Sequence, residues 1–461
     1  MKVNYDNTSS SSIFKYSKQF LEKSLRDILD ESDTIYLSTE ILKYKGKRKG
    51  LFGDIIEEYL FGIRNNSDKS PDFKYAGVEL KTTPLKKHTK NKYSAKERLV
   101  FSMIDYMSII DEVWDTSSFL KKNKLLLLMF YLFEKDKSIL DYKFKFVKLL
   151  NLLSEISEAD IVQIKKDWET IVNKIKAGEA HLLSEGDTAY LGAATKASKS
   201  TDRRPQPNNS ISAKPRAFSL KTTYINYLIQ RFLGKEDKNT ISLIDKDKKL
   251  PLTIEENIYS RFNKYLNKTN LEIEESFSLH YKKRPKNHRR LLINKLLGAS
   301  SNKIEEFEKA NITLKVVALE PSGKLVESIS FPIFRYKEIV NEIWEESDFF
   351  NQLNEKRFLF VIFQKTKEGF DVLRNVKFWN FPMKDIDSVK WVWEETVKRI
   401  KNKQAYKLPS IKENAVAHVR PHGRNSNDKI DTGYGTKEVK KCFWLNAKYI
   451  EEQLNTKNLI N

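Results

Sequence analysis

A single cysteine, Cys442, in 461 residues excludes an intrachain disulfide and a cysteine-based zinc cluster, and makes a reducing cytoplasm the expected location. Long apolar runs are missing too. The longest, residues 125–133, is far too short to cross a bilayer and reads as a buried strand, so no membrane partner is expected. Residues 1–6 lack the apolar core of a signal peptide. Acidic residues are outnumbered, 62 against 83 Lys and Arg, giving a formal charge of +21. That balance favours a polyanionic partner such as nucleic acid, although the cations are scattered rather than gathered into one arm. A chain of this length with 40% hydrophobic residues buries two or three cores and exceeds one comfortable domain.

What is present is a repeat. Tyr106, Trp114 and Phe119 recur as Tyr336, Trp344 and Phe349, each 230 residues on, within segments that match in order. Trp168-Glu169 returns as Trp393-Glu394, and Tyr16-Ser17 as Tyr259-Ser260. A duplicated unit of about 200 residues explains this better than a solenoid, whose period is about 20–50 residues. The expected boundaries are 1–233, a charged linker at 234–250, and 251–461. Each copy should be a mixed α/β fold, a sheet flanked by helices. In the first copy the spacing predicts helices over 17–30, 50–62 and 105–114 and strands over 77–83, 97–103 and 125–133. It also predicts a mainly helical stretch at 139–176 and a polar, Pro- and Ser-rich mobile loop at 196–215.

The chemistry concentrates at Gly77-Val78-Glu79-Leu80-Lys81. On a strand, alternation sends Glu79 and Lys81 to one face and Val78 and Leu80 to the other. Asp72 follows Pro71, where a turn brings its carboxylate beside Glu79. Two carboxylates held close repel unless a cation lies between them, and such oxygen ligands favour Mg²⁺. A lysine beside that ion can position water or stabilise charge on a phosphate. The spacing alone also suits a solvated strand face.

The surrounding blocks add to this. Lys49-Gly50-Leu51-Phe52-Gly53-Asp54-Ile55-Ile56-Glu57, Asp72-Phe73, residues 77–84 and residues 92–100 resemble the active-site region of the MutH mismatch-repair endonuclease and the related type II restriction enzymes that cut at GATC. The resemblance implies tandem MutH-like domains. It assigns Asp72 and Glu79 to Mg²⁺, Glu57 to assistance at the metal site, and Lys81 to the hydrolytic water. Residues 189–197 and 216–221 are similar to the segments that read and close over GATC, which nominates Tyr190, Thr195, Lys196, Ser219 and Lys221 as DNA contacts. The first copy lacks the arginine expected before Lys196.

In the second copy Asn311-Ile312-Thr313-Leu314-Lys315 stands opposite the Glu79 strand, with Thr313 in place of the glutamate and Glu306 opposite Asp72. The helix opposite Glu57, residues 291–297, has no acid. This copy should bind without cutting. His418-Val419-Arg420-Pro421-His422-Gly423-Arg424 supplies the missing arginine, so Arg420, His422 and Arg424 become candidate DNA contacts, with Arg420 suited to guanine. The expectation is a bacterial, cytoplasmic type II restriction endonuclease. It would cleave both strands of DNA before the G of 5′-GATC with Mg²⁺, its second domain an allosteric effector. The chain would be monomeric, or would dimerise or loop between two DNA sites. A repair nickase and a non-catalytic GATC-binding protein are the alternatives.

Overall fold

The computed structural model describes residues 4–44, 50–64, 70–88, 92–197, 199, 201–237, 239–244, 251–300 and 303–455. Lys49 and, from the expected linker, 238 and 245–250 lie outside them. The chain divides into two compact units, 1–181 with 190–238, and 182–189 with 239–461.

In the first unit, β1 (Val78–Lys87) leaves a turn at Gly77, where φ is +66°. β2 (Tyr93–Ala95) returns antiparallel to it, and β3 (Leu99–Met103) starts a second, smaller sheet. β4 (Leu125–Leu132) joins β1 in parallel, setting Leu126 opposite Glu79. A strand covered on both faces needs an almost unbroken apolar run, and this is what Leu125–Phe130 supplies. β5 (Phe144–Asn151) completes the order β2-β1-β4-β5. Within the stretch 139–176, residues 144–151 are therefore strand instead of helix. Leu149 and Leu150 belong to β5, and only Glu158–Lys176, capped by the Ser157 side chain, is a long helix. Its apolar stripe, Ile164, Trp168, Ile171 and Ile175, faces the core.

Three other local expectations change. Residues 105–114 form short 3-10 turns at Ile109–Asp111 and Trp114–Thr116 instead of a helix. Residues 17–30 break into a 3-10 turn at Lys18–Phe20 and a short helix at Leu25–Ile28, because the Ser24 side chain and Asp27 form a capping box that starts a new helix there. The polar loop at 196–215 contains a hairpin, β7 (Arg204–Gln206) and β8 (Asn209–Ala213), between β6 (Leu191–Thr195) and β9 (Arg216–Leu220). Gln206 is buried and pins the hairpin, accepting from the Ala180 amide at 2.7 Å. The second sheet has the order β3-β9-β6.

The second unit repeats this plan. β10 (Ile312–Leu319) follows Asn311, φ +53°, and β11 (Ile329–Ile333) starts a smaller sheet. β12 (Arg357–Lys365) pairs parallel to β10, and β13 (Asp371–Trp379) antiparallel to β12. β14 (Ala417–Pro421), the hairpin β15 (Lys429–Asp431) with β16 (Lys437–Val439), and β17 (Lys441–Leu445) give the order β11-β17-β14. Equivalent contacts recur in detail. Trp114 packs on Trp168 at 5.9 Å, and Trp344 on Trp393 at 5.6 Å. The Tyr106 hydroxyl donates to Lys214 O at 2.5 Å, and the Tyr336 hydroxyl to Val439 O at 2.7 Å.

Candidate active site and nucleic-acid interface

Residues 73–78 close a tight turn in which the Phe73 and Val78 backbones exchange hydrogen bonds, 2.9 Å and 3.3 Å. This sets residue 72 opposite residue 79 and explains their seven-residue spacing. The Asp72 amide donates to Glu79 Oε2 at 3.1 Å, and the Leu80 amide to Asp72 Oδ2 at 2.9 Å. Lys81 Nζ donates to Glu79 Oε1 at 2.6 Å, as strand alternation requires.

Glu57 lies near enough to feel the charges of Asp72, Lys81 and Glu79. Its helix, Leu51–Ile55, starts after Gly50 and passes into a π-turn at Ile56–Leu60, closed by Phe61 N donating to Ile56 O at 3.3 Å. Such one-turn widenings are frequent at functional sites. Gly53 lets this helix lie against β1, since a Cβ there would meet Thr82 Oγ1 at 3.3 Å.

Burial, and then the Asp72 carboxylate, push the Glu57 carboxyl up to about 7, while Lys81 pulls it down. Glu79 is almost fully buried, and its carboxyl is also raised, first by burial, against the pull of Lys81. Acids whose ionised forms are disfavoured in this way gain from a cation. No three His, Cys, Asp or Glu side chains among the described residues close around an ion by themselves. Mg²⁺ does not need such a cage, because it is commonly held by one or two carboxylates with water and substrate phosphate filling its other positions. Asp72 and Glu79 fit that requirement.

One member of the cluster was missed by the sequence reading. Lys122, at the end of the helix Ser118–Asn123, places Nζ 3.7 Å from Glu79 Oε1. Its only sequence signal is a basic pair just before the strand that pairs with β1.

The nominated DNA contacts of the first unit separate into two groups. Thr195 and Lys196 are exposed at the end of β6. Lys196 lines a cavity of about 260 Å³ with Asp202, Arg203, Arg204 and Pro215. Tyr190, Ser219 and Lys221 do not belong with them. Tyr190 is buried and stacks on Tyr224 at 4.5 Å, with its amide donating to Asp167 Oδ2 at 2.6 Å. Ser219 lies in the middle of the wholly buried β9, and Lys221 is buried at its end. None of these three is therefore a surface side chain. The error came from treating a matched segment as one surface when strand alternation and the helix Glu158–Lys176 cover part of it.

In the second unit Arg420, His422 and Arg424 are exposed. The Arg420 guanidinium lies 3.7 Å from the Trp444 ring centroid, and His422 meets the same ring at 5.1 Å. A guanidinium stacked on indole keeps its donors pointing outward and loses little freedom on binding. His418, by contrast, is buried and hydrogen-bonded to Asn446.

Among the described residues the acid cluster has no counterpart here. Glu306 is buried on the helix Glu305–Ala310, where it accepts from Ser242 Oγ at 2.6 Å and Leu243 N at 2.9 Å. It fastens a neighbouring segment, and Glu305 pairs with Lys309 at 2.7 Å.

The family described as DNA mismatch repair enzyme MutH matches residues 61–167 and again 297–390. The type II restriction enzyme Sau3AI of Staphylococcus aureus is 33% identical over 454 residues, covering 88% of this chain and 92% of that enzyme. The chain belongs to the MutH-related type II restriction enzymes. The DNA mismatch repair protein MutH of Shewanella woodyi is 28% identical over 189 residues, 40% of this chain and 78% of that protein. This restriction enzyme is thus a site-specific deoxyribonuclease built from tandem MutH-like domains. No helix among its described residues is long and apolar enough to cross a membrane.

Proposed function

We propose that the enzyme cleaves both strands of DNA before the G of 5′-GATC in a Mg²⁺-dependent reaction in its first unit, and that its second unit binds another GATC copy and promotes cleavage. The observation that supports this most is the meeting of Asp72, Glu79 and Lys81 across the Phe73–Val78 turn, at a place where the second unit has Thr313 instead of the glutamate. Asp72 and Glu79 would hold Mg²⁺, which would supply Lewis-acid stabilisation of phosphate charge.

Lys81 orients the attacking water and balances charge developing on the phosphate. Water attacks phosphorus and the bond to O3′ breaks, leaving a 5′-phosphate and a 3′-hydroxyl. The attacking water releases one proton and the departing oxygen takes one up. Glu57, poised near neutrality, is suited to receive the first. Specificity comes from exposed polar side chains, with Arg420 suited to the O6 and N7 of guanine in the second unit.

The test is digestion of unmethylated plasmid with Mg²⁺, followed by sequencing of fragment ends. Double-strand ends beginning GATC are expected, and other ends overturn the specificity. Faster cleavage of two-site than of one-site DNA is expected of an effector domain, whereas equal rates at every enzyme concentration remove that role. Single-strand nicks alone would favour the repair-nickase reading.

A further inference from the structure

The position of the missing active site in the second unit is not neutral. Lys315 and Lys81 occupy the same place, each four residues after the left-handed corner at Asn311 or Gly77. In the first unit the lysine is held by Glu79. In the second, Thr313 has replaced that acid, and among the described residues Lys315 Nζ keeps a single weak contact, donating to Ser330 O at 3.2 Å. An ammonium carries three donors, so two remain for a ligand.

A second cation stands at the position equivalent to Lys122, which in the first unit lies with Lys81 at the Glu79 carboxylate, since Lys315 and Lys356 are each 234 residues after Lys81 and Lys122. Lys356 directly precedes β12, half-buried, with no ion pair or side-chain hydrogen bond among the described residues, whereas its neighbour Arg357 is paired with Glu255. Burial, then the charge of Lys356, hold the Lys315 ammonium below its usual range, and burial does the same to Lys356. Burying unpaired cations is costly, and the cost is recovered when an anion arrives.

Lys315 opens onto a cleft of about 330 Å³, lined also by Arg289, Glu327, Ser328 and Ser330. Of the charged groups there, Arg289 is already paired with Asp371 at 2.6 Å, and Glu327 is exposed. The cleft and the reading strand share a neighbourhood. Burial pushes the Cys442 thiol of β17 up to about 11, with the charges of both Arg420 and Lys315 pulling against it.

We propose that Lys315 and Lys356 form a metal-independent site for a DNA phosphodiester in the second unit, fixed ammonium groups standing where the first unit has a carboxylate cluster. The proposal rests on the reading that the second unit binds DNA, and it names how the backbone is held there.

The test uses the full chain in EDTA, with fluorescence anisotropy of a labelled GATC duplex across a salt series. For Lys315→Met with Lys356→Met, affinity should fall about tenfold near physiological salt, and the slope of log K against log salt should shrink by about 1–2. Lys356→Met alone should weaken binding while the free protein melts no lower than wild type, since an unpaired buried charge has been removed. Weaker binding with a lower melting temperature would make the lysine structural and overturn the proposal. If the double variant does not fold, Lys315→Gln and Lys356→Gln singly give the same two readouts. Unchanged affinity and slope, with Arg420→Ala still weakening binding, would overturn the phosphate site but leave DNA binding by this unit intact. If neither change weakens binding, the reading of the second unit as a DNA binder fails and the proposal fails with it.

Discussion

The two units share a frame and differ in the charge placed at one point on it. Both have a parallel strand pair behind a left-handed corner, a pair of tryptophans packed at a steep angle and a hairpin between the last strands of a small sheet. At the corner, however, one unit gathers Asp72, Glu79 and Glu57 around Lys81, while the other keeps the lysine and has Thr313 and a diverted Glu306. The frame is set by apolar packing, which tolerates exchange of ionisable groups at its edge.

The sharpest way to break the comparison is at Glu79. Glu79→Ala should lower the cleavage rate of plasmid DNA by about 10³-fold or more, comparable to removal of a principal electrostatic group from an active site, while duplex binding persists in a shift assay. The reciprocal change, Thr313→Glu, should create no second nuclease, because Glu306, opposite Asp72, is held by Ser242 and Leu243, and the helix opposite Glu57 has no acid. Cleavage by the double variant Glu79→Ala with Thr313→Glu would overturn the assignment of roles.

The shared frame predicts matched losses. Trp114→Ala and Trp344→Ala should each destabilise their own unit by about 3–5 kcal/mol, read as two comparable shifts in chemical denaturation. A large effect in one unit and none in the other would mean that the frames are not equivalent. Arg420→Ala should cost about 1–3 kcal/mol in DNA binding and relax discrimination at one base pair. Competition binding with single-base variants of GATC measures this, and equal weakening on all sequences would reduce Arg420 to a backbone contact.

The smallest effect concerns Glu57. An acid whose folded pKa is raised holds its proton in the fold between its ordinary value of 4.5 and about 7. The metal-free protein therefore loses stability as pH rises through that window and stays at the lower level above it. Glu57→Gln removes this contribution, so the melting temperature of wild type relative to the variant, in EDTA, should decline from pH 5 to pH 8. A difference that is flat with pH would show that the carboxyl is not perturbed.

Much of the duplicated architecture was legible because Tyr106, Trp114 and Phe119 keep one spacing to their second copies, and because Leu125–Phe130 is apolar enough to require cover on both faces. The Asp72, Glu79 and Lys81 cluster was legible through strand alternation and one turn. Less legible were features set by contacts distant in sequence. Leu149 and Leu150 suit a helix face as well as a strand, and pairing with β4 decides between them. Lys122 gains meaning only because β4 runs beside β1. Tyr190 resembles a surface reader until Tyr224 is seen to cover it.

The corner at Gly77 and Asn311 has a consequence for engineering. Only residues tolerant of a positive φ can begin these strands, so Asn311→Gly should be silent while Asn311→Val should unseat β10. The second unit thus preserves the same left-handed bend without the glutamate two residues on, and grafting acids onto it would start from a backbone already shaped to receive them.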